Sequence, residues 1–319
     1  MIPHPRPFFH GEKRVERIMS ESVMTCYDGF PHMGVTDSVR LTSFVPDIIN
    51  RDGRDGVIEE RTAIAAIEGN VRACMAAWET YTDAEVEHDG PVIRLCTDVP
   101  LAMMNVATST APLGAELEAR VAATSRFFAQ RGKPCHWWDF PSGRSAALAT
   151  CLQAEGFIDH GSAPGMALNL RDLNDDVRWP AHLSITPVAD AAEMLQWAHT
   201  SYTGYELPDA YRQAYVASLA QYLRIPSMRF YLASFHQEPV VTAMVMLQPE
   251  VAGLYWIATV PAARGQGAGT AITLHALHEA REAGARLAVL EASPLGLPIY
   301  TRLGFREFCQ VQSYVRNIA

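Results

Sequence analysis

The segment Val260-Pro-Ala-Ala-Arg-Gly-Gln-Gly-Ala-Gly-Thr270 constrains this chain most, because an apolar strand-like run passes there directly into a helical one through Gly265, Gly267 and Gly269. Glycine tolerates left-handed backbone and lets a ligand approach the main chain. The first turn of a helix adds unpaired N–H groups with the positive end of the macrodipole behind them. The combination suits an anion such as a pyrophosphate. The run lacks the G-K-[ST] ending of a phosphate-binding P-loop, and its glycines do not match G-x-G-x-x-G, which disfavours ATP and dinucleotide sites. A strand, a glycine turn and a helix are by themselves more often structural than functional, so the surrounding elements decide.

Apolar spacing of three and four through Ile64, Ile67, Val71, Met75 and Trp78 predicts a helix over 57–81. Strands follow at 92–97 and 103–108, able to pair as a hairpin, then a helix over 113–130 stopped by Gly132, a strand at 135–140, a helix over 145–155 closed by Gly156, and a strand at 166–170. The polar stretch 171–180 reads as a linker. Beyond it come a strand at 183–188, helices over 191–201 and 208–223, a hairpin of 230–236 and 240–247 turning through Gln237-Glu238-Pro239, and a strand at 254–260. The glycine loop, its helix to about 283, a strand at 286–292, a short helix near 297–303 and a strand near 311–316 complete the chain.

The pattern V-x-x-x-R-x-x-G-x-G at a strand-to-helix junction, then a strand ending at Ser293 and Tyr300-Thr-Arg-Leu-Gly304-Phe305, resembles the GNAT acyltransferase superfamily over about residues 183–319. The resemblance implies an acyl-CoA-dependent N-acyltransferase, most simply using acetyl-CoA and acting on a primary amine of a small molecule or peptide. It implies that the backbone of Ile257, Ala258 and Thr259 pairs with the pantetheine arm. Backbone N–H groups of Gly265, Gln266, Gly267, Ala268, Gly269 and Thr270 would hold the pyrophosphate, with Arg264 beside them in the cofactor loop. Ser293 stands where the family often has an asparagine contacting the cofactor, and Tyr300 matches the tyrosine that protonates the departing thiolate. A phenol suits that role, since its ordinary pKa of about 10 lies near that of a thiol. The strand at 254–260 carries no carboxylate where many relatives place a glutamate, which leaves an ordered water or Glu291 for the base. Tyr202, Tyr205 and Glu206, between the first two helices of this half, are the expected acceptor contacts. The competing readings are a non-catalytic acyl-CoA-binding or scaffold protein, and another acyl chemistry on the same fold.

Leu152-Gln-Ala-Glu-Gly156-Phe157 aligns with Tyr300-Thr-Arg-Leu-Gly304-Phe305, and Ala111-Pro112-Leu113-Gly114 keeps only one glycine ahead of the helix that follows. The expected organisation is therefore a tandem α/β (α+β) chain of two GNAT-like domains, each a mixed, mostly antiparallel sheet flanked by helices. An N-terminal extension at 1–55 precedes a degenerate copy at 56–172, a linker at 173–182 and the catalytic domain at 183–319.

Charge narrows the partners. The net charge is −9, with 17 Lys and Arg against 25 Asp and Glu in residues 1–182 and 9 against 10 in 183–319. Neither half has the basic excess that nucleic-acid binding requires. Six dispersed cysteines without a C-x-x-C pair predict reduced thiols and no metal. The charged, proline-containing start and the absence of an 18-residue apolar run predict a cytoplasmic protein that does not engage the membrane; a monomer and a homodimer are both left open.

Overall fold

The computed structural model describes residues 58–318; the expected extension 1–55 lies outside that range. Helix α1 spans Glu60–Tyr81 and buries Ile67, Val71, Cys74, Met75 and Trp78 along one stripe. After it come β1 (Glu85–Asp89), β2 (Val92–Cys96), β3 (Val106–Ser109), α2 (Leu117–Gln130), β4 (Cys135–Asp139), α3 (Leu148–Ala154) and β5 (Ile158–Asn169). The second half runs β6 (Leu183–Pro187), α4 (Ala191–Gly204), α5 (Arg212–Ala220), β7 (Met228–Phe235), β8 (Glu238–Gln248), β9 (Val251–Thr259), α6 (Ala268–Glu282), β10 (Leu287–Glu291), α7 (Leu297–Leu303) and β11 (Arg306–Arg316). Helix α4 starts where Asp190 accepts from the Glu193 N–H at 2.9 Å, while Glu193 reaches back to the Ala189 N–H at 2.7 Å.

Several elements depart from the periodicity reading. Strand β1 escapes it because Glu85-Val-Glu-His-Asp89 is an edge strand without a buried residue and with little apolar signal. Strand β5 begins at Ile158 instead of Met166, since its first residues are exposed and include Gly161 and Pro164. The hairpin between β7 and β8 turns through His236 and Gln237, both at positive φ (49° and 71°), and Pro239 lies inside β8 at a register shift. The 208–223 helix is α5 flanked by two 3-10 turns.

All eleven strands of the described residues form one mixed, mostly antiparallel sheet in the order β1-β2-β3-β4-β11-β5-β10-β9-β8-β7-β6. Only β3/β4 and β9/β10 pair in parallel. The last strand of each half is exchanged: β11 lies between β4 and β5, and β5 lies between β11 and β10. The two expected sheets are thereby joined edge to edge through the antiparallel β5/β11 pair. One face carries α1, α4 and α5 over a core shared by both halves, including Trp78, Trp197, Tyr222 and Met244. On the opposite face α6 and α7 cover the second half, and α2 and α3 the first.

The two Gly-Phe turns are the same structure. In α3 the Phe157 N–H donates to Leu152 O at 3.0 Å with Gly156 at φ 83°, and in α7 the Phe305 N–H donates to Tyr300 O at 3.0 Å with Gly304 at φ 104°. The strand pairs differ. β9 and β10 pair only as far as Gly253 and Val289, whereas β3 and β4 stay tied at their end by the Thr108 Oγ1 donation to Trp138 O at 2.9 Å.

Candidate active site

The parting of β9 from β10 sets the geometry of the site. Past Gly253 the β10 side of β9 is open, while β8 still pairs with Ala258 and Thr259. A bulge between Tyr255 and Ala258 drives Trp256 to φ 48°, a left-handed conformation uncommon for a bulky residue. The Thr242 hydroxyl donates to the Trp256 carbonyl at 2.8 Å and holds the bulge.

Beyond Thr259 a 3-10 turn at Pro261–Ala263 delivers the chain to Gly265 (φ 75°) and Gly267 (φ 83°), positions that disfavour any side chain. The first hydrogen bond of α6 is from the Ala271 N–H to Gly267 O at 3.0 Å, so the N–H groups ahead of it have no partner within the helix. Gly265, Gly267, Ala268, Gly269 and Thr270 line a groove of about 650 Å³, together with Ile257, Ala258 and Thr259 from β9. Two side chains of the loop bond within the protein. The Gln266 side chain folds back onto Ala262 O at 3.0 Å. Arg264 spends its guanidinium on Thr259 O (3.2 Å), Gly204 O (2.9 Å) and the Glu206 carboxylate (2.8 Å), which ties the loop to the end of α4.

Ser293 and Tyr300 form the far wall. The Ser293 hydroxyl and carbonyl both accept from the Gly296 N–H, at 3.1 and 3.0 Å, and shape the turn into α7. That turn presses Gly296 against Tyr300, where an added Cβ would lie 2.5 Å from the ring. Burial pushes the Tyr300 phenol up to about 12, so it is protonated at neutral pH and able to donate.

A second chamber, of about 230 Å³, meets the groove at Tyr205, Ile257, Ser293 and Tyr300. Val71, Cys74, Met75 and Trp78 of α1 line it, with Val106, His136 and Trp138 from β3 and β4 and Trp256 and Glu291 from the second half. Burial raises the Glu291 carboxyl to about 7. Burial and the neighbouring His160 lower His136 to about 4, which keeps its ring neutral.

Of the expected acceptor contacts, Tyr205 lines both cavities. Tyr202 lines neither: it is buried, bonds Pro208 O through its hydroxyl and lies beneath the Arg212 guanidinium at 4.5 Å. Glu206 borders the groove, but its carboxylate is engaged by Arg264. The contribution of α1, β3 and β4 was not visible in the sequence, where Val71, Met75 and Trp78 read simply as a core stripe. The aromatic run His136-Trp137-Trp138 was the one available hint: alternation puts Trp137 on the opposite face and leaves its two neighbours at the chamber.

Residues 191–305 match the model of the Acetyltransferase (GNAT) family, and this part of the chain is a GNAT acetyltransferase domain. Among solved structures, a GCN5-related N-acetyltransferase from Kribbella flavida is 21% identical, with a TM-score of 0.59 over 82% of this chain and 96% of its own. A tandem GNAT protein from the clavulanic acid biosynthesis pathway is 13% identical, with a TM-score of 0.53 over 80% of this chain and 93% of its own. A GCN5-related N-acetyltransferase from Sphaerobacter thermophilus is 12% identical, with a TM-score of 0.54 over 81% of this chain and 90% of its own. At these identities the likeness is one of fold. No curated protein matches the sequence. Among the described residues no helix is long and apolar enough to cross a membrane.

Proposed function

We propose that this protein transfers an acyl group, most simply acetyl, from acyl-CoA to a primary amine of a small molecule or peptide. The observation that carries the reading is the junction of the two cavities at Tyr300: the phenol borders both the groove and the chamber. The groove fits the pyrophosphate of an acyl-CoA, because it combines left-handed glycines, helix-start N–H groups and the Arg302 side chain. Bound there, acyl-CoA supplies an activated thioester. The open side of β9 at Ile257, Ala258 and Thr259 suits hydrogen bonding to the amides of a pantetheine arm, and Tyr300 donates the proton that the leaving thiolate takes up.

We further propose that residues 56–172 are a degenerate copy without a cofactor site, joined through 173–182 to the catalytic copy at 183–319. Support comes from the matched Gly-Phe turns, with Leu152 in the place of Tyr300, and from the closed β3/β4 pair. A reducing cytoplasm suits the free thiols of Cys74, Cys96, Cys135, Cys151 and Cys309.

Calorimetry with acetyl-CoA, combined with thiol-release assays, tests this reading. The wild type should bind one equivalent. Gly267→Glu, which sets an anion and a strained side chain where the pyrophosphate lies, should abolish binding. Tyr300→Phe should bind normally while its chemical step slows by ~10²–10⁴-fold. Binding without thiol release from any amine would favour a non-catalytic acyl-CoA-binding protein instead.

A further inference from the structure

The chamber beside Tyr300 has a composition that selects its occupant. Its walls are dominated by apolar and aromatic side chains, with Trp78 and Met75 on α1 facing the same space as Trp138 and Trp256. Among the described residues no lysine or arginine lines it, and Glu291 is its single carboxylate. Among the described residues Glu291 has no hydrogen-bond or ion-pair partner. Its side chain is half-buried at the end of β10, and a carboxylate facing such apolar walls is favoured by a cation that reaches it. The other ionisable groups on the walls do not supply one: His136 is held neutral by burial, Cys74 and Tyr300 are pushed up to about 12, and Tyr255 spends its hydroxyl on Asn70 at 2.8 Å. At about 230 Å³ the chamber is also smaller than the ~300–1,000 Å³ usual for drug-sized ligands.

We infer that the acceptor is a small primary amine bearing an aromatic or branched aliphatic group, with that group against Trp78, Met75 and Trp138 and its ammonium on Glu291. The inference rests on the acyltransferase reading above. In the reaction, Glu291 takes one proton from the ammonium, and the freed lone pair forms a C–N bond to the thioester carbonyl carbon. The C–S bond breaks as Tyr300 gives its proton to the sulfur. The tyrosinate then recovers a proton from the acylated nitrogen, and Glu291 returns its own to solvent. The net products are an amide, a free thiol and one proton. The first half of the chain thus supplies much of the acceptor wall, while the second binds the donor.

The test uses the full chain with acetyl-CoA and four probes: 2-phenylethylamine, isoamylamine, ethanolamine and putrescine. The two apolar amines should be acetylated with kcat/KM at least tenfold above the two polar ones, and 2-phenylethylamine should change the tryptophan fluorescence of the chamber. Glu291→Gln should lower kcat/KM for 2-phenylethylamine by ~10²–10⁴-fold. Val71→Phe, which fills the chamber from α1, should lower it at least tenfold. Both variants should keep acetyl-CoA affinity, which also reports that they are folded. Acetyl-CoA binding with equal or better turnover of the polar amines, or with no acetylation of any probe, overturns this inference and leaves donor binding intact. Failure of the wild type to bind acetyl-CoA overturns the acyltransferase reading beneath it.

Discussion

Glu291 sits at the end of β10 among groups that are neutral at pH 7, since burial raises Cys74, Tyr255, Tyr300 and Cys309. Its own pKa is raised from the ordinary 4.5 to about 7 by the same desolvation. A carboxyl held up in the folded state favours folding while both states are protonated. As pH climbs from about 4.5 to 7 the unfolded chain releases this proton first, and folding loses that support. Glu291→Gln should therefore stabilise the protein relative to wild type above pH 7, by at most about 3 kcal/mol, with the advantage shrinking towards pH 5. Thermal melts across that range measure it. Parallel curves for the two proteins would mean that the carboxylate is solvated in the folded state.

At the scale of elements, α1 of the first half is fastened to strands of the second through Asn70, which is wholly buried. Its amide donates to Met246 O at 3.3 Å and Gln248 Oε1 at 2.9 Å, and its oxygen accepts from the Tyr255 hydroxyl at 2.8 Å. The approach is possible because Gly253 faces Asn70: a Cβ there would lie 1.9 Å from Asn70 Oδ1 and 2.6 Å from the Tyr255 ring. Gly253→Ala should displace α1, costing about 1–3 kcal/mol as an overpacked contact. Because α1 carries Val71, Met75 and Trp78 into the chamber, the acceptor KM should rise while acetyl-CoA affinity holds. Denaturant titration and steady-state kinetics check the two parts. Lost stability with an unchanged acceptor KM would separate the helix from acceptor binding.

For the whole molecule, exchange of β5 and β11 makes the halves depend on each other. Cutting at the 173–182 connection and expressing 58–182 and 183–319 apart would leave β4 and β10 with unpaired edges at the centre of the sheet, besides baring the shared core under α1. Each fragment should be insoluble or unfolded by circular dichroism, and co-expression should restore a soluble pair. A folded, acetyl-CoA-binding 183–319 fragment would show that β11 can return to its own half.

Local signals were legible because local physics produces them. Gly265 and Gly267 stand at positive φ, the α1 stripe follows helical spacing, and Tyr300 precedes a Gly-Phe turn whose hydrogen bonds lie within six residues. These features were enough to identify the glycine loop, the order of most elements and the two Gly-Phe turns. Tertiary structure decided the rest. Strand pairing uses backbone groups common to every residue, so the sequence of β11 does not say that it joins β4 and β5. Tyr202 and Tyr205 are only three positions apart, yet α4 ends between them at Gly204, which leaves one buried beside Pro208 and lets the other reach the site. Val71, Met75 and Trp78 read as core because an apolar wall has the same composition whether it meets another side chain or a ligand. Only the docking of α1 across the parted β9 and β10 distinguishes the two.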